Sequence, residues 1–279
     1  MTSFLGFSYS KIHGGYEIDP SDYTKMLLVA NGLEKCKPNS TPGIIEPISK
    51  EEIPLLSKSE HKEYRKNVGQ LLWLSTVRKD IQFPVKDLSK KLHNPNKQDQ
   101  SRVTHVLKYL SGTIDRKITI LPSQDSVFKI ICMTDADLGN CEISRKSTSG
   151  GHIAINNSLI HSWSKQQQTV ALSSAESEFI AMAAATSEVL YVKSFFEELH
   201  LPIEVPVILT ASKSDKDMLE KRTHGRVKHV DRKICFIKDI FEKGLIRYKH
   251  IPGGENVADL LTKYVSKQQL LQHRDALLS

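Results

Sequence analysis

The sequence predicts an α/β protein: a mixed five-stranded sheet flanked by helices, preceded by a smaller, mainly helical region. Three observations carry this. Between Tyr64 and Leu110 apolar residues recur at helical spacing. From Val127 the period shortens to that of strands. The remaining patterns run β-β-β-α-β-α-β-α to the end of the chain. That order makes a mixed sheet with helices on its faces, a domain of about 150 residues.

The N-terminal segment reads as a strand, a helix and a turn. In YEIDPSDYTKMLLVANGL, Asp19-Pro20-Ser21 starts the helix and Asn31-Gly32 stops it. Asn39 to Glu60 is polar and proline-bearing, which predicts an extended linker. Helices are predicted over Tyr64–Arg78, Asp80–Leu92 and Gln98–Leu110, the last stopped by Ser111-Gly112. Pro84 sits early in the second. In a first turn it is tolerated; further in it would cost about 3 kcal/mol. Trp73 and Trp163 read as core residues.

Strands follow over Phe128–Met133, Gly150–Ile155 and Leu159–Trp163, with Asn156-Asn157 as a hairpin turn. A long helix runs from Ser174 to Leu199. Then come a strand at Pro206–Thr210, a short helix at Ser214–Glu220, and a helix at Val230–Glu242 stopped by Gly244. A strand at Leu245–Ile251 and a helix at Val257–Leu271 close the chain. The expected divisions are residues 1–45, 46–120 and 121–279.

The chain has 279 residues, 39% hydrophobic and 25% charged, ordinary for a globular protein of one large or two average domains. No run of about 18 apolar residues predicts a membrane span, and MTSFLGFSYSKIHGG lacks a signal-peptide pattern. The start reads as mid-domain, as in a fragment of a longer protein. Cys36, Cys132, Cys141 and Cys235 are scattered and read as reduced thiols of an intracellular protein, not a zinc or disulfide framework. Net charge is +7 and the pI is about 9.1. This permits an anionic partner such as nucleic acid without requiring one.

The chemistry concentrates in acids. In KIICMTDADLGN an apolar strand is tipped by Asp135 and Asp137, which is unfavourable unless something offsets the carboxylates. In TVALSSAESEF, Ser173 and Glu176 match a capping box. Glu178 heads the stripe Met182, Ala185, Val189, and reads either as a boundary residue or as a placed ligand. Asp259, in GGENVADLLTKYV, suits the positive end of a helix start and also suits a metal. Three carboxylates at one sheet edge would repel unless divalent cations sit among them, and an oxygen-only set suits Mg2+. Two such ions can activate water and stabilise the leaving oxygen in phosphodiester hydrolysis.

TDADLGN, RKSTSGG, SWSKQQQTVALSSAESEF, THGRVKHVD and ENVADLLTK, in this order, resemble the ribonuclease H domain of copia-type LTR retrotransposon Pol polyproteins. EKCKPNSTP, EYRKNVGQLLWLSTVRKDI and VLKYLSGTIDRKITI are similar to the part following the reverse-transcriptase palm. The resemblance runs from FLGF to about Lys263. It implies a ribonuclease H-like fold over 121–279, a palm remnant over 1–45 and a thumb or connection-like region over 46–120. It implies cleavage of the RNA strand of RNA–DNA hybrids with two Mg2+ ions held by Asp135, Glu178 and Asp259. No polymerase activity is implied, because the palm's paired aspartates are missing; a palm-bearing reverse transcriptase chain is the implied partner. The implied location is the cytoplasm, virus-like particles or the nucleus.

The family's third acid falls at Ala211, in Thr210-Ala211-Ser212-Lys213-Ser214. Asp215 and Asp217 lie further on; at ~1.5 Å per residue Asp215 is displaced by roughly 6 Å. With one anionic ligand missing and Lys213 added, Mg2+ binding and cleavage are expected to be impaired. Lys79 stands for a usual proline and Leu138 for a usual tryptophan. A nuclease-dead fold that binds nucleic acid or protein, or a relic without activity, is therefore the alternative. Lys165, Gln166, Ser173, Ser174, Arg226 and Lys228 are the expected nucleic-acid contacts: polar or basic groups beside a helix N-terminus or in a basic loop. An ordinary polar loop with a cap explains the first four equally well.

Overall fold

The computed structural model describes residues 2–44, 53–121, 125–141, 144–212 and 228–278, with side chains described from 232 onward in the last stretch. It divides into two compact units, Met1–Ile120 with Tyr264–Ser279, and Leu121–Lys263.

In the first unit the N-terminal segment forms more strand than its sequence suggests. Strands β1 (Thr2–Phe4), β2 (Phe7–Ile12), β3 (Gly15–Asp19) and β4 (Ile118–Ile120) make an antiparallel sheet in that order. Alternation in FSYSKI and GYEID sets the faces. Tyr9 pairs with Ile18 on one face; Ser8 with Asp19 and Ser10 with Glu17 share the other. Helix α1 (Ser21–Ala30) follows as predicted.

Helix α2 spans Lys58–Leu74 and begins earlier than its apolar pattern implies. The cause is a capping box: Ser57 accepts from the Glu60 amide while Glu60 accepts from the Ser57 amide. A 3-10 turn at Lys79–Ile81 leads into α3 (Gln82–Ser89); because the α-helix starts at Gln82 rather than at the expected Asp80, Pro84 falls in its first turn, where it is tolerated. Helix α4 (Lys97–Ser111) starts at Asn96 with a second capping box through Asp99.

Leu27, Tyr64, Leu71, Leu74, Leu107 and Leu110 are fully enclosed in this unit. So is a charge cluster. The Arg78 guanidinium donates to both Asp80 carboxylate oxygens (2.9 and 2.7 Å) and to the Thr113 carbonyl and hydroxyl. Tyr109 donates to Asp80 as well. Trp73 is not core. It is 37% exposed, stacks on Phe7, and its indole N–H donates to the Leu5 carbonyl. Its placement satisfies the polar end of the ring at the surface.

The second unit holds β5 (Ile130–Asp137), β6 (Thr148–Ile155), β7 (Ser158–Gln166), β8 (Val207–Thr210) and β9 (Arg247–His250). Their order is β7-β6-β5-β8-β9. β5 is antiparallel to β6, and β6 to β7; β8 is parallel to both β5 and β9. This is the expected ribonuclease H-like mixed sheet. Asn156 and Asn157 both take positive φ (49° and 71°), as a two-residue hairpin turn requires.

Helices α5 (Ser174–Glu198) and α6 (Lys228–Glu242) complete the unit. Ala185 and Val189 of α5 pack on Ile130, Cys132, Ile153 and Ile208 of the sheet. By length and composition α5 could cross a membrane, but here that apolar face is spent on the sheet. At Gly151 a Cβ would collide with the Trp163 ring, so glycine is what seats the buried tryptophan.

Three expectations change. β5 continues through Asp137, so both acids lie within the strand rather than beyond it. The predicted closing helix is broken: Val257–Leu261 is a 3-10 segment, and a separate helix, α7 (Lys267–His273), starts at its own cap, Ser266. Asn256 and Ser266 are each N-caps whose side chains accept from backbone amides, of Ala258 and Gln269, so each starts a segment of its own. Tyr264–Ser279 consequently falls in the first unit. The predicted helix Ser214–Glu220 lies outside the described residues.

Candidate active site

The site is built where β5 meets the 3-10 segment. Along β5 the side chains alternate. Cys132 enters the core shared with α5, so Asp135 points to the opposite face. There it is paired across the sheet with Gly150. A Cβ on Gly150 would stand 2.7 Å from Thr262 Cγ2 and 2.8 Å from Leu261 Cβ. The glycine is therefore what lets the segment carrying Asp259 lie directly on the sheet beside Asp135. Gly150→Ala is expected to cost about 1–3 kcal/mol in chemical denaturation, because backbone and packed side chains must yield; a change below 0.5 kcal/mol would contradict this close approach.

Polar anchors fix the two motifs to one another. Buried Asn256 donates to the Thr134 carbonyl (3.0 Å) and accepts from the Ala258 amide (3.1 Å). Asn140, at the end of TDADLGN, donates to the Thr262 carbonyl (2.9 Å) and accepts from Thr148 (2.9 Å). Thr262 donates its hydroxyl to Asp135 Oδ2. The Lys263 ammonium reaches both acids, 3.1 Å from Asp259 Oδ2 and 3.9 Å from Asp135 Oδ2.

The electrostatics show two acids held close. Burial, and then the charge of Asp135, push the Asp259 carboxyl up from 3.8 to about 6. Burial alone would lower the Lys263 ammonium; the charges of Asp135, Asp259 and Asp137 outweigh it and hold Lys263 above its usual value. Such a pair fits a hard cation through the chemistry of its donors: carboxylate oxygens whose repulsion a positive charge relieves.

Glu178 stands differently. It lies in the second turn of α5, one turn before the buried Met182, on the helix that packs on the face opposite Asp135. Buried Gln167 fixes this turn: its amide donates to the Ser177 carbonyl (2.8 Å) and to Ser149 (2.9 Å). Ser149 is paired with Ala136, so the Glu178 backbone runs beside the C-terminal end of β5. Among the described residues no three His, Cys, Asp or Glu side chains gather as a metal-binding group. Thr134 pairs with Thr210, so Ala211 follows the sheet one step beyond, next to Asp135 in register. It brings no oxygen ligand. Asp215 and Asp217 lie outside the described residues.

The expected nucleic-acid contacts divide. Gln166 shares a cross-strand row with Thr148 and Asp137, and its amide donates to Ser144. Lys165 is exposed, with its ammonium 3.6 Å from Glu188. Ser173 caps α5 by accepting from the Glu176 amide, and Ser174 is exposed at the first position of the helix. The predicted capping box is half formed: Glu176 accepts from the Leu172 amide (2.8 Å). Lys228 opens α6, with its side chain outside the described residues, and Arg226 lies outside them entirely. Sequence reasoning passed over Asn140, Asn256, Thr262 and Lys263. Their signal lay in the quoted motifs TDADLGN and ENVADLLTK.

No family model matches the chain. The retrovirus-related Pol polyprotein from transposon RE2 of Arabidopsis thaliana is 28% identical over 269 residues, 95% of this chain and 18% of the relative. That from transposon TNT 1-94 of Nicotiana tabacum is 31% identical over 255 residues, 88% and 19%. The chain belongs to the copia-type transposon Pol polyproteins. This Pol-type chain thus spans about a fifth of the length of those relatives. Among solved structures, LC11-RNase H1 in complex with an RNA/DNA hybrid overlaps 54% of the chain and 99% of its own, at 18% identity and a TM-score of 0.38. The Pol-type chain carries its ribonuclease H-like fold in the order and direction of its own strands.

Proposed function

We propose that the second unit is a ribonuclease H-type nuclease of impaired activity, acting on the RNA strand of RNA–DNA hybrids. The observation that carries this reading is the convergence of Asp135 and Asp259 on one face of β5, with Asp259 pushed up to about 6. Asp135 and Asp259, together with Glu178 supplied from α5, would hold Mg2+. When bound, the ion supplies activation of water and stabilisation of the leaving oxygen. The chain's own residues position the ligands: Asn256 and Asn140 hold the Asp259 segment, Thr262 orients Asp135, and Gln167 sets the turn that carries Glu178. Lys165, Gln166, Ser173 and Ser174, with Arg226 and Lys228, would meet the hybrid's backbone. The first unit is read as a palm remnant over residues 1–45 and a thumb-like region over 46–120. It lacks the paired aspartates, so polymerisation would need a palm-bearing chain.

Ala211 favours a second reading, in which the fold binds nucleic acid without cutting it. Hybrid cleavage in Mg2+ or Mn2+ by the wild type, Asp135→Asn and Ala211→Asp separates the two. The nuclease reading expects weak wild-type cleavage, lost in Asp135→Asn and raised about a hundredfold in Ala211→Asp. Cleavage seen only in Ala211→Asp, with hybrid binding that weakens linearly in log salt, supports the second. Neither cleavage nor binding in any variant sinks both.

A further inference from the structure

The acid pair already carries a positive charge. Asp259 and Lys263 lie one turn apart, joined by a backbone bond from the Lys263 amide to the Asp259 carbonyl (3.2 Å). Asp135 arrives from β5, 127 residues before Thr262, whose hydroxyl it accepts. The Lys263 ammonium faces one oxygen of each carboxylate, at 3.1 and 3.9 Å. The Asp135 oxygen it faces is the one that Thr262 also bonds. The lysine side chain is 39% exposed, so its end can leave for water without disturbing the core.

We propose that Lys263 is the chain's own cation at this acid pair: it holds Asp135 and Asp259 together when no metal is bound, and a divalent ion must displace it to gain the same oxygens. The inference rests on reading the pair as a metal site. An ammonium so placed relieves the carboxylate repulsion that would otherwise oppose closing the Asp259 segment onto β5. The same charge repels an incoming cation at a few ångströms, where Coulomb interactions near a protein surface are large. Metal affinity and metal-free stability are therefore set against each other by one side chain.

Thermal unfolding of the full chain in EDTA, and in titrations of Mg2+ alone or Mn2+ alone, tests this without any cleavage assay. Lys263→Met is expected to melt several degrees below wild type in EDTA. It should recover on adding either ion, at a half-maximal concentration about tenfold or more below that of wild type. Asp135→Asn/Lys263→Met, which has lost the pair, should show no metal response. Should Lys263→Met not fold, amine acylation of the wild type read by mass spectrometry decides instead. Lys263 is expected to react several-fold faster in saturating Mn2+ than in EDTA, with other lysines unchanged. An equal metal response in wild type and Lys263→Met, or equal Lys263 labelling in Mn2+ and EDTA, overturns the inference. The first of these leaves the metal-site reading standing; no metal response in either protein overturns both.

Discussion

Asp80→Ala is expected to cost the first unit about 3–5 kcal/mol in urea or guanidinium unfolding. Asp80 is 2% exposed and Arg78 fully buried. The two are bound bidentately, and Tyr109 supplies a third hydrogen bond at 2.6 Å. Removing the carboxylate leaves a guanidinium in the core with neutral partners, the Thr113 carbonyl and hydroxyl and the Tyr109 ring, and an uncompensated buried charge is among the most costly single changes available. Arg78→Met/Asp80→Leu, which removes both charges, should recover most of the loss, since apolar pairs of similar volume replace buried ion pairs at little cost. Tyr109→Phe should cost about 1–3 kcal/mol, the penalty of one unmet buried acceptor. Burial alone would raise the Asp80 carboxyl; Arg78 and Tyr109 outweigh it and hold it below the usual range. Its contribution is therefore present above pH 3.8 and lost as pH falls below it. A single-mutant loss under 1 kcal/mol would show that the cluster is not a keystone of this unit.

His152→Leu is expected to make the second unit resist mild acid. His152 is 5% exposed on β6, paired with Met133 and Ser162, and its Nδ1 has no hydrogen-bond partner among the described residues. Burial pushes its pKa down from 6.5 to about 4. The folded state thus favours the neutral ring. Its contribution is complete above pH 6.5 and drains away as pH falls towards 4, where the unfolded chain takes up the proton first. At about 1.4 kcal/mol per pKa unit, the wild type should lose up to about 3 kcal/mol across that window. Leucine removes the proton site and the orphaned nitrogen together. The variant should match wild type within about 1 kcal/mol at pH 7 and exceed it by about 2–3 kcal/mol near pH 4. Parallel pH profiles for the two proteins would show that the imidazole is not the group that titrates.

Local chemistry made much of the fold legible. α1, α4 and α5 start and stop within a residue or so of their sequence signals, because caps and glycines act over a single turn. The Asn156-Asn157 turn was readable because few residues accept positive φ. Where the reading slipped, a distant partner had overruled a local pattern. Trp73 has the composition of a core residue, yet its ring caps Phe7 at the surface. Val257–Leu271 has helical periodicity, yet Asn256 is drawn to the Thr134 carbonyl of β5 and Ser266 starts a new helix. β1 to β3 are short and polar on one face, so little in their own pattern announces a sheet.

For the candidate site, sequence alone named Asp135, Glu178 and Asp259 as candidate acids and showed that Ala211 carries no carboxylate, since motif order and residue type are properties of the chain. It also determined the family to which the chain belongs. Tertiary structure decided which acids meet. Asp135 and Asp259 share a face because β5 alternates and Gly150 leaves room, while Glu178 rides on a helix across the sheet. It also decided that Lys263 lies between them, for charge is felt over ångströms in space and sequence separation says nothing about that distance.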